Sequence, residues 1–410
     1  MVTLSSQDRP KVGGLARLLC LLFLAGVAMR LTLLAIPPVI PLIHEELRMS
    51  ETQVGLLIGL PLAMFAIAAV PGSLLIARIG ASLAAVLGMA LAAVAGALRG
   101  AAGDVWTLYA AAMAASFGIA VMQPGMPMLV REWMPARIAL GTIAYSSGMI
   151  IGATLPPVLT LAFVLPLAAG SWRLDLVLWA LPAALIALIF FLWSPKEGGQ
   201  NRGFAALALG GSWRPDWKNP LVWLLGFAFG TNSGPFFVAN AFLGDYLADR
   251  GQGYLLGPAL SALNGAQIGG LIVLILMSRR LQRRAWPFLV FGPAMLVAFL
   301  GFIFVPSPLA IIICAGLVGI STSITMTAVL ALPPLLVAPA DVSRTAAGML
   351  TITYTCAIVI PTVCGALWDV TGESWTTFVP PCISCAALTI TGSFAARYPS
   401  AAEKLSLRQA

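Results

Sequence analysis

The sequence predicts an all-α integral membrane protein whose twelve transmembrane helices form two pseudo-symmetric bundles of six. Three observations carry that prediction. Of 410 residues, 60% are hydrophobic and only 9% are charged, against roughly 45–50% and 25% in soluble domains, so a water-facing surface cannot be built from this composition. Apolar stretches of about 20 residues, long enough to cross roughly 30 Å of hydrocarbon at 1.5 Å per residue, recur twelve times along the chain. The basic residues between those stretches gather on one side.

The first six stretches run over 15–43, 52–77, 82–98, 105–130, 138–165 and 174–193, and the second six over 220–247, 254–277, 286–305, 308–337, 343–367 and 375–395. Arg9, Lys11 and Arg17 precede the first run, as in a secretory signal. That run, however, continues past a signal core, contains Arg30 and ends in Pro37, Pro38 and Pro41 rather than at a small-residue cleavage site, so it reads as a membrane helix. The expected organisation is an arm over 1–14, a six-helix unit over 15–193, a polar linker over 194–219, a second unit over 220–396 and a tail over 397–410.

Charge sets the orientation. Of the 23 Lys and Arg residues, Arg48, Arg99, Arg173 and Arg250 fall in loops opposite the N-terminus, Arg30 lies within a helix, and the remainder share the N-terminal side. Such asymmetry places both termini in the cytoplasm. The same distribution argues against a nucleic-acid partner, because the cations flank apolar runs instead of forming a patch.

Arg30 is the strongest clue to function. It lies thirteen residues beyond Arg17, about 20 Å deeper along a helix. A cation at the bilayer centre costs about 2.5–3.5 kcal/mol on insertion scales and persists where it meets a partner or a wet cavity. No Asp or Glu is expected at that depth. Two roles stay open: structural hydrogen bonding to carbonyls and amides, or attraction of an anionic or strongly polar solute through the guanidinium fork.

Polar residues on neighbouring helices are the other candidates for solute contact. Gln123 precedes Pro124 and Pro127 in the fourth stretch; Asn232, Ser233 and Asn240 lie in the seventh; Ser321, Ser323 and Thr325 lie in the tenth. Tyr145, Asn264, Gln267 and Tyr354 are weaker candidates. The expected binding set is Arg30, Gln123, Asn232, Ser233, Asn240, Tyr145, Ser323 and Tyr354. Glycines four residues apart (Gly148 and Gly152; Gly226, Gly230 and Gly234; Gly265 and Gly269) are expected to let helices approach closely.

Enzymatic chemistry finds little support. The six cysteines fall in apolar segments, and the Cys382-x-x-Cys385 pair has no second pair beside it. His44-Glu45 begins like a zinc-protease motif, but the chain holds a single histidine, so no metal site, catalytic residue or cofactor is expected. No Walker loop occurs. The acids Glu45, Glu132, Asp245 and Asp369 lie near helix ends, which leaves coupling to a proton or a counter-solute open.

Each half carries a basic turn after its second helix, Ala77-Arg78-Ile79-Gly80 and Ser278-Arg279-Arg280-Leu281-Gln282-Arg283-Arg284. Two six-helix halves with this plan resemble the major facilitator transporters, although Ala77 stands where their signature loop usually has an acid. Within that superfamily the chain is similar to the cyanate and nitroimidazole transporter family. The resemblance rests on Arg30 followed by Pro38-Val39-Ile40-Pro41 and the turn His44-Glu45-Glu46-Leu47-Arg48-Met49-Ser50, and on Gln123-Pro124-Gly125-Met126-Pro127 running to Arg131-Glu132-Trp133-Met134-Pro135. It continues through Tyr354, Pro361, Gly365, Asp369, Gly372 and Trp375.

The departures fall at cavity positions. Gln123 stands where the family tends to Asn, Asn232-Ser233 where Gln-Ser is usual, Phe237 where Tyr is usual, Phe242-Leu243-Gly244 where Trp-Leu-Pro is usual, and Leu350 where Gln is frequent. The resemblance implies solute transport at the cytoplasmic membrane with Arg30 as a binding residue, and the swaps imply a changed substrate. The functional expectation is a secondary transporter for a small anionic or polar solute, with the lipid bilayer as its surroundings. Efflux of amphipathic drugs and a non-transporting membrane sensor are the alternatives.

Overall fold

The computed structural model describes residues 12–195, 216–281, 284–305, 307–337 and 341–399. Most of the 194–219 linker, both chain ends and part of the second basic turn lie outside those residues. Among the described residues there are twelve crossings: Val12–Leu31, a second in two pieces (Glu51–Ile67 and Ala69–Ile79), Ala81–Leu98, Val105–Trp133, Ile138–Leu159, Trp172–Trp193, Pro220–Asp249, Leu256–Leu281, Trp286–Phe304, Pro308–Leu330, Val342–Thr371 and Val379–Arg397. They are numbered here as helices 1 to 12. An even number of crossings returns the chain to its starting side, the termini face; the opposite side is the far face.

Local chemistry fixes where these helices begin. Ser50 caps helix 2 in a reciprocal box with Gln53, Asp104 accepts the Trp106 and Thr107 amides at the start of helix 4, and Asn219 accepts the Leu221 amide at the start of helix 7. Each side chain satisfies an amide that has no intrahelical acceptor.

Proline fixes several breaks that hydropathy alone does not reveal. The first apolar run is not one helix over 15–43. Its helix ends at Leu31, followed by a tight turn at Pro37–Val39 and a short helix at Ile40–Leu47, because Pro37 and Pro38 lack the amides a helix needs there. Helix 2 is interrupted at Ala68, three residues before Pro71. The run expected over 308–337 ends as a helix at Leu330 and resumes at Pro333–Leu336. Helix 5 widens into a π segment at Thr160–Val164, where the Trp179 indole donates to the Thr160 hydroxyl at 2.8 Å.

The packing is pseudo-symmetric. Helix 1 packs on helices 5 and 6, helix 2 on 4, and helix 3 on 4 and 6; helix 7 packs on helices 11 and 12, helix 8 on 10, and helix 9 on 10 and 12. Shifting every number by six maps one set onto the other. The two halves meet where helix 2 packs on 11 and helix 5 on 8, a pair that the same shift exchanges.

Glycine allows the closest of these approaches. A Cβ on Gly26, Gly148 or Gly152 would strike the backbone of the facing helix at Tyr145, Phe23 or Val27. In the second half, Gly226, Gly230 and Gly234 face Ile352, Cys356 and Ile360 of helix 11. The third expected pair is not a contact of this kind, since a Cβ on Gly265 would meet nothing within 4 Å and one on Gly269 only Ile320 at 3.8 Å.

Large apolar side chains cover the outside, as on helix 6, where Leu181, Leu185, Leu188, Phe191 and Leu192 are all exposed. Such a surface is stable only against lipid.

Candidate functional site

Arg30 occupies the last turn of helix 1, immediately before the chain leaves helical geometry. It is half-buried, enclosed between the halves yet partly accessible. Among the described residues no acid lies within ion-pair distance of it, and the group that interacts with it electrostatically is Tyr354 of helix 11. Tyr354 is also within hydrogen-bonding reach of the Gln123 side chain on helix 4. Its ring stacks on Phe65 of helix 2, with centroids 5.8 Å apart and planes 22° from parallel. Helices 1, 2 and 4 of one half and helix 11 of the other therefore converge on a fixed cation, an amide and a phenol.

Gln123, Pro127 and Arg131 are all exposed and, at four-residue spacing, share one face of helix 4. Because Gln123 meets Tyr354, that face looks into the space between the halves and leads toward the termini face. Beyond Arg30 toward the far face the structure closes instead. A small apolar pocket there is lined by Leu33, Leu34, Leu57, Phe237 and Asn240 among others.

The remaining expected site residues are placed differently. Asn232 is fully buried, donates to the Thr322 carbonyl at 3.4 Å and accepts from the Thr325 hydroxyl at 2.6 Å, joining helices 7 and 10. Ser323 donates to the Gln267 carbonyl at 3.2 Å, joining helices 10 and 8. Asn240 accepts from the Asn264 amide at 3.0 Å and donates to the Phe236 carbonyl. Ser233 and Tyr145 are half-buried, with Tyr145 close to Ser146.

Two buried charges carried no sequence signal. Arg99 reads as a loop cation, yet it is 2% exposed and donates to the Thr32 carbonyl at 2.8 Å, occupying an acceptor left free where helix 1 breaks. Asp175 in the first turn of helix 6 is fully buried, and neither carboxylate oxygen has a hydrogen-bond partner.

At the far face the halves are tied by polar contacts. Asp369 at the end of helix 11 accepts the Glu51 amide at 2.9 Å, the Thr52 amide at 2.8 Å and the Thr52 hydroxyl at 2.5 Å. His44 Nδ1 lies 3.1 Å from Asp245 Oδ2 of helix 7 and 3.9 Å from Glu51 Oε1. The hydrogen bond with Asp245 raises the His44 pKa and the charges of Asp245 and Glu51 add to the rise, against the opposing effect of burial. Two residues on, Glu46 is held below its ordinary pKa by donors from Arg173 and Trp172. His44 and Asp245 are 201 residues apart in sequence, so only the tertiary fold brings them together.

Comparison with known proteins adds four findings. The family model described as Major Facilitator Superfamily matches residues 18–399. The chain is 26% identical over 359 residues to the cyanate transport protein CynX of Escherichia coli (strain K12), covering 87% of this chain and 91% of that one. It is also 26% identical over 239 residues to the 2-nitroimidazole transporter of the same organism, covering 56% and 58% of the two chains. Among solved structures, a D-xylose-proton symporter superposes with a TM-score of 0.76 at 11% identity, over 94% of this chain and 98% of the other. At that identity the likeness concerns the fold.

Proposed function

The chain belongs to the Major Facilitator Superfamily, and from that premise we propose that it is a secondary active transporter moving a small anionic or polar solute across the cytoplasmic membrane by alternating access. The observation that carries the reading is Arg30: a permanent cation, free of any acidic partner among the described residues, held where both halves contribute a polar group. A guanidinium in a low-dielectric cavity binds an oxyanion or a polar π system strongly, since water competes poorly there. Tyr354 and Gln123 supply directional hydrogen bonds beside it. Cyanate is a small linear anion and 2-nitroimidazole a small polar ring, so the cargoes named for the two relatives fit a site of this chemistry.

Alternating access follows from the packing. In the described state the far face is held shut by Asp369 and by the His44–Asp245 pair, and the exposed stripe of helix 4 leads toward the termini face. Rocking the halves about the 2–11 and 5–8 contacts exposes Arg30 to each side in turn. The excess of Lys and Arg on the termini side puts that side in the cytoplasm. Transport runs on the gradient of a coupling proton or a counter-solute.

The reading is tested by a thermal-shift screen of small anions, cyanate included, on purified protein, followed by counterflow in proteoliposomes with whichever anion stabilises it. Stabilisation by at least one small anion and saturable counterflow of the same anion are expected. Stabilisation only by bulky cationic amphiphiles would instead favour drug efflux.

A further inference from the structure

We propose that His44, Glu51 and Asp245 form a binding site for a first-row divalent cation such as Mn2+ or Zn2+, and that the bound ion fastens the far face shut. The site is separate from the Arg30 cluster and does not depend on the identity of the solute. One donor atom from each residue, the imidazole Nδ1 and two carboxylate oxygens, lies within 4.8 Å of the other two. The separations of 3.1 Å and 3.9 Å from Nδ1 bracket the spacing of about 3.3–3.5 Å between ligands set tetrahedrally about 2.0–2.1 Å from a metal. Inward movement of Glu51, whose oxygen is the farther of the two from Nδ1, closes the site.

A second observation points to a ligand. Glu51 is only 8% exposed, and its Oε2 atom is buried without a hydrogen-bond partner. An unsatisfied buried carboxylate oxygen is costly, and bidentate coordination of Glu51 to an ion satisfies it. The charges also match, because two carboxylates and a neutral imidazole balance a dication. Asp249 and Asp369 lie within electrostatic range of Glu51 and deepen the negative potential. Asp369 itself is already engaged by three donors from Glu51 and Thr52, so it is not a ligand. One imidazole with two carboxylates suits Mn2+ or Zn2+, whereas an all-oxygen set suits Ca2+ or Mg2+.

The geometry gives occupancy a consequence. His44 lies on the short helix Ile40–Leu47 and Glu51 opens helix 2, both in the first half, while Asp245 belongs to helix 7 in the second. An ion bound by all three prefers the far-face-closed arrangement, since opening separates its ligands.

The test uses Mn2+, whose carboxylate and imidazole preference limits capture by the six cysteine thiols. Mn2+ is titrated into purified full-length protein and the free-ion EPR signal is followed. One ion per chain is expected in the wild type, with affinity weakened by about tenfold or more in His44→Gln and in Glu51→Gln. Amide exchange over 40–52 and 241–250 is expected to slow with Mn2+ in the wild type and not in His44→Gln. Asp245→Asn replaces either variant that fails to elute as a monodisperse species. No uptake by the wild type at millimolar Mn2+, binding unchanged in the variants, or binding without slower exchange would overturn the proposal. None of those outcomes bears on solute transport, which the anion screen tests separately.

Discussion

Phe65 and Tyr354 stack across the boundary between the two halves, and that stack fixes the position from which Tyr354 meets both Arg30 and Gln123. The ring contact is packing; the hydroxyl is chemistry. The two are separable by substitution.

Tyr354→Phe keeps the stack and removes the hydroxyl. Unfolding temperature is expected to stay near that of the wild type while solute affinity falls several-fold in counterflow. Tyr354→Ala also loses the aromatic pair, about 0.5–1.5 kcal/mol beyond its buried area, so both unfolding temperature and affinity should drop. Equal affinity in Tyr354→Phe and the wild type would remove the hydroxyl from the site.

Asp369→Asn weakens three hydrogen bonds that reach across the far face from Glu51 and Thr52. Hydrogen bonds to a charged acceptor contribute about 1.5–3 kcal/mol when well buried, and less here because the group is partly exposed. The variant should open at the far face more often, seen as faster amide exchange over 50–53 with little change in exchange around Gly148.

Gly148→Leu places a side chain against the backbone of helix 1 at Phe23, where no room exists. It is expected to abolish monodisperse expression. Gly265→Ala meets nothing within 4 Å and raises helix propensity by up to about 1 kcal/mol, so it should express normally and unfold no lower than the wild type. The two spacings look alike in the sequence, and only packing distinguishes them.

Arg99→Met removes the donor that satisfies the Thr32 carbonyl where helix 1 breaks. Loss of a charge-assisted hydrogen bond at a buried carbonyl is expected to destabilise the protein by about 2–3 kcal/mol, read as a lowered midpoint in detergent unfolding. A midpoint at or above that of the wild type would mean that burying the cation outweighs its bond to Thr32.

The contrast between Arg30 and Asn232 shows how far the sequence could be read. Arg30 was legible because a lone cation deep in an apolar run is costly enough to need a role. Asn232 was legible only as polar: hydropathy does not say whether an amide faces the cavity or a neighbouring helix, and this one is bonded to helix 10. The twelve crossings were legible because a bilayer fixes their length. A break in the first run is legible in Pro37 and Pro38, but its start at Leu31 was not, since apolar residues continue through Ile43. The His44–Asp245 pair joins residues on different halves, and no local pattern foretells that.

The central claim is that Arg30 binds the solute, and counterflow in proteoliposomes tests it most directly, with an anion that stabilises the wild type and with Arg30→Ala and Arg30→Lys beside it. Arg30→Ala should lose at least about tenfold in affinity, the equivalent of about 1.4 kcal/mol, with Arg30→Lys in between because it keeps the charge and loses the fork. Wild-type affinity and rate in Arg30→Ala, from protein that folds and reconstitutes normally, would contradict the account.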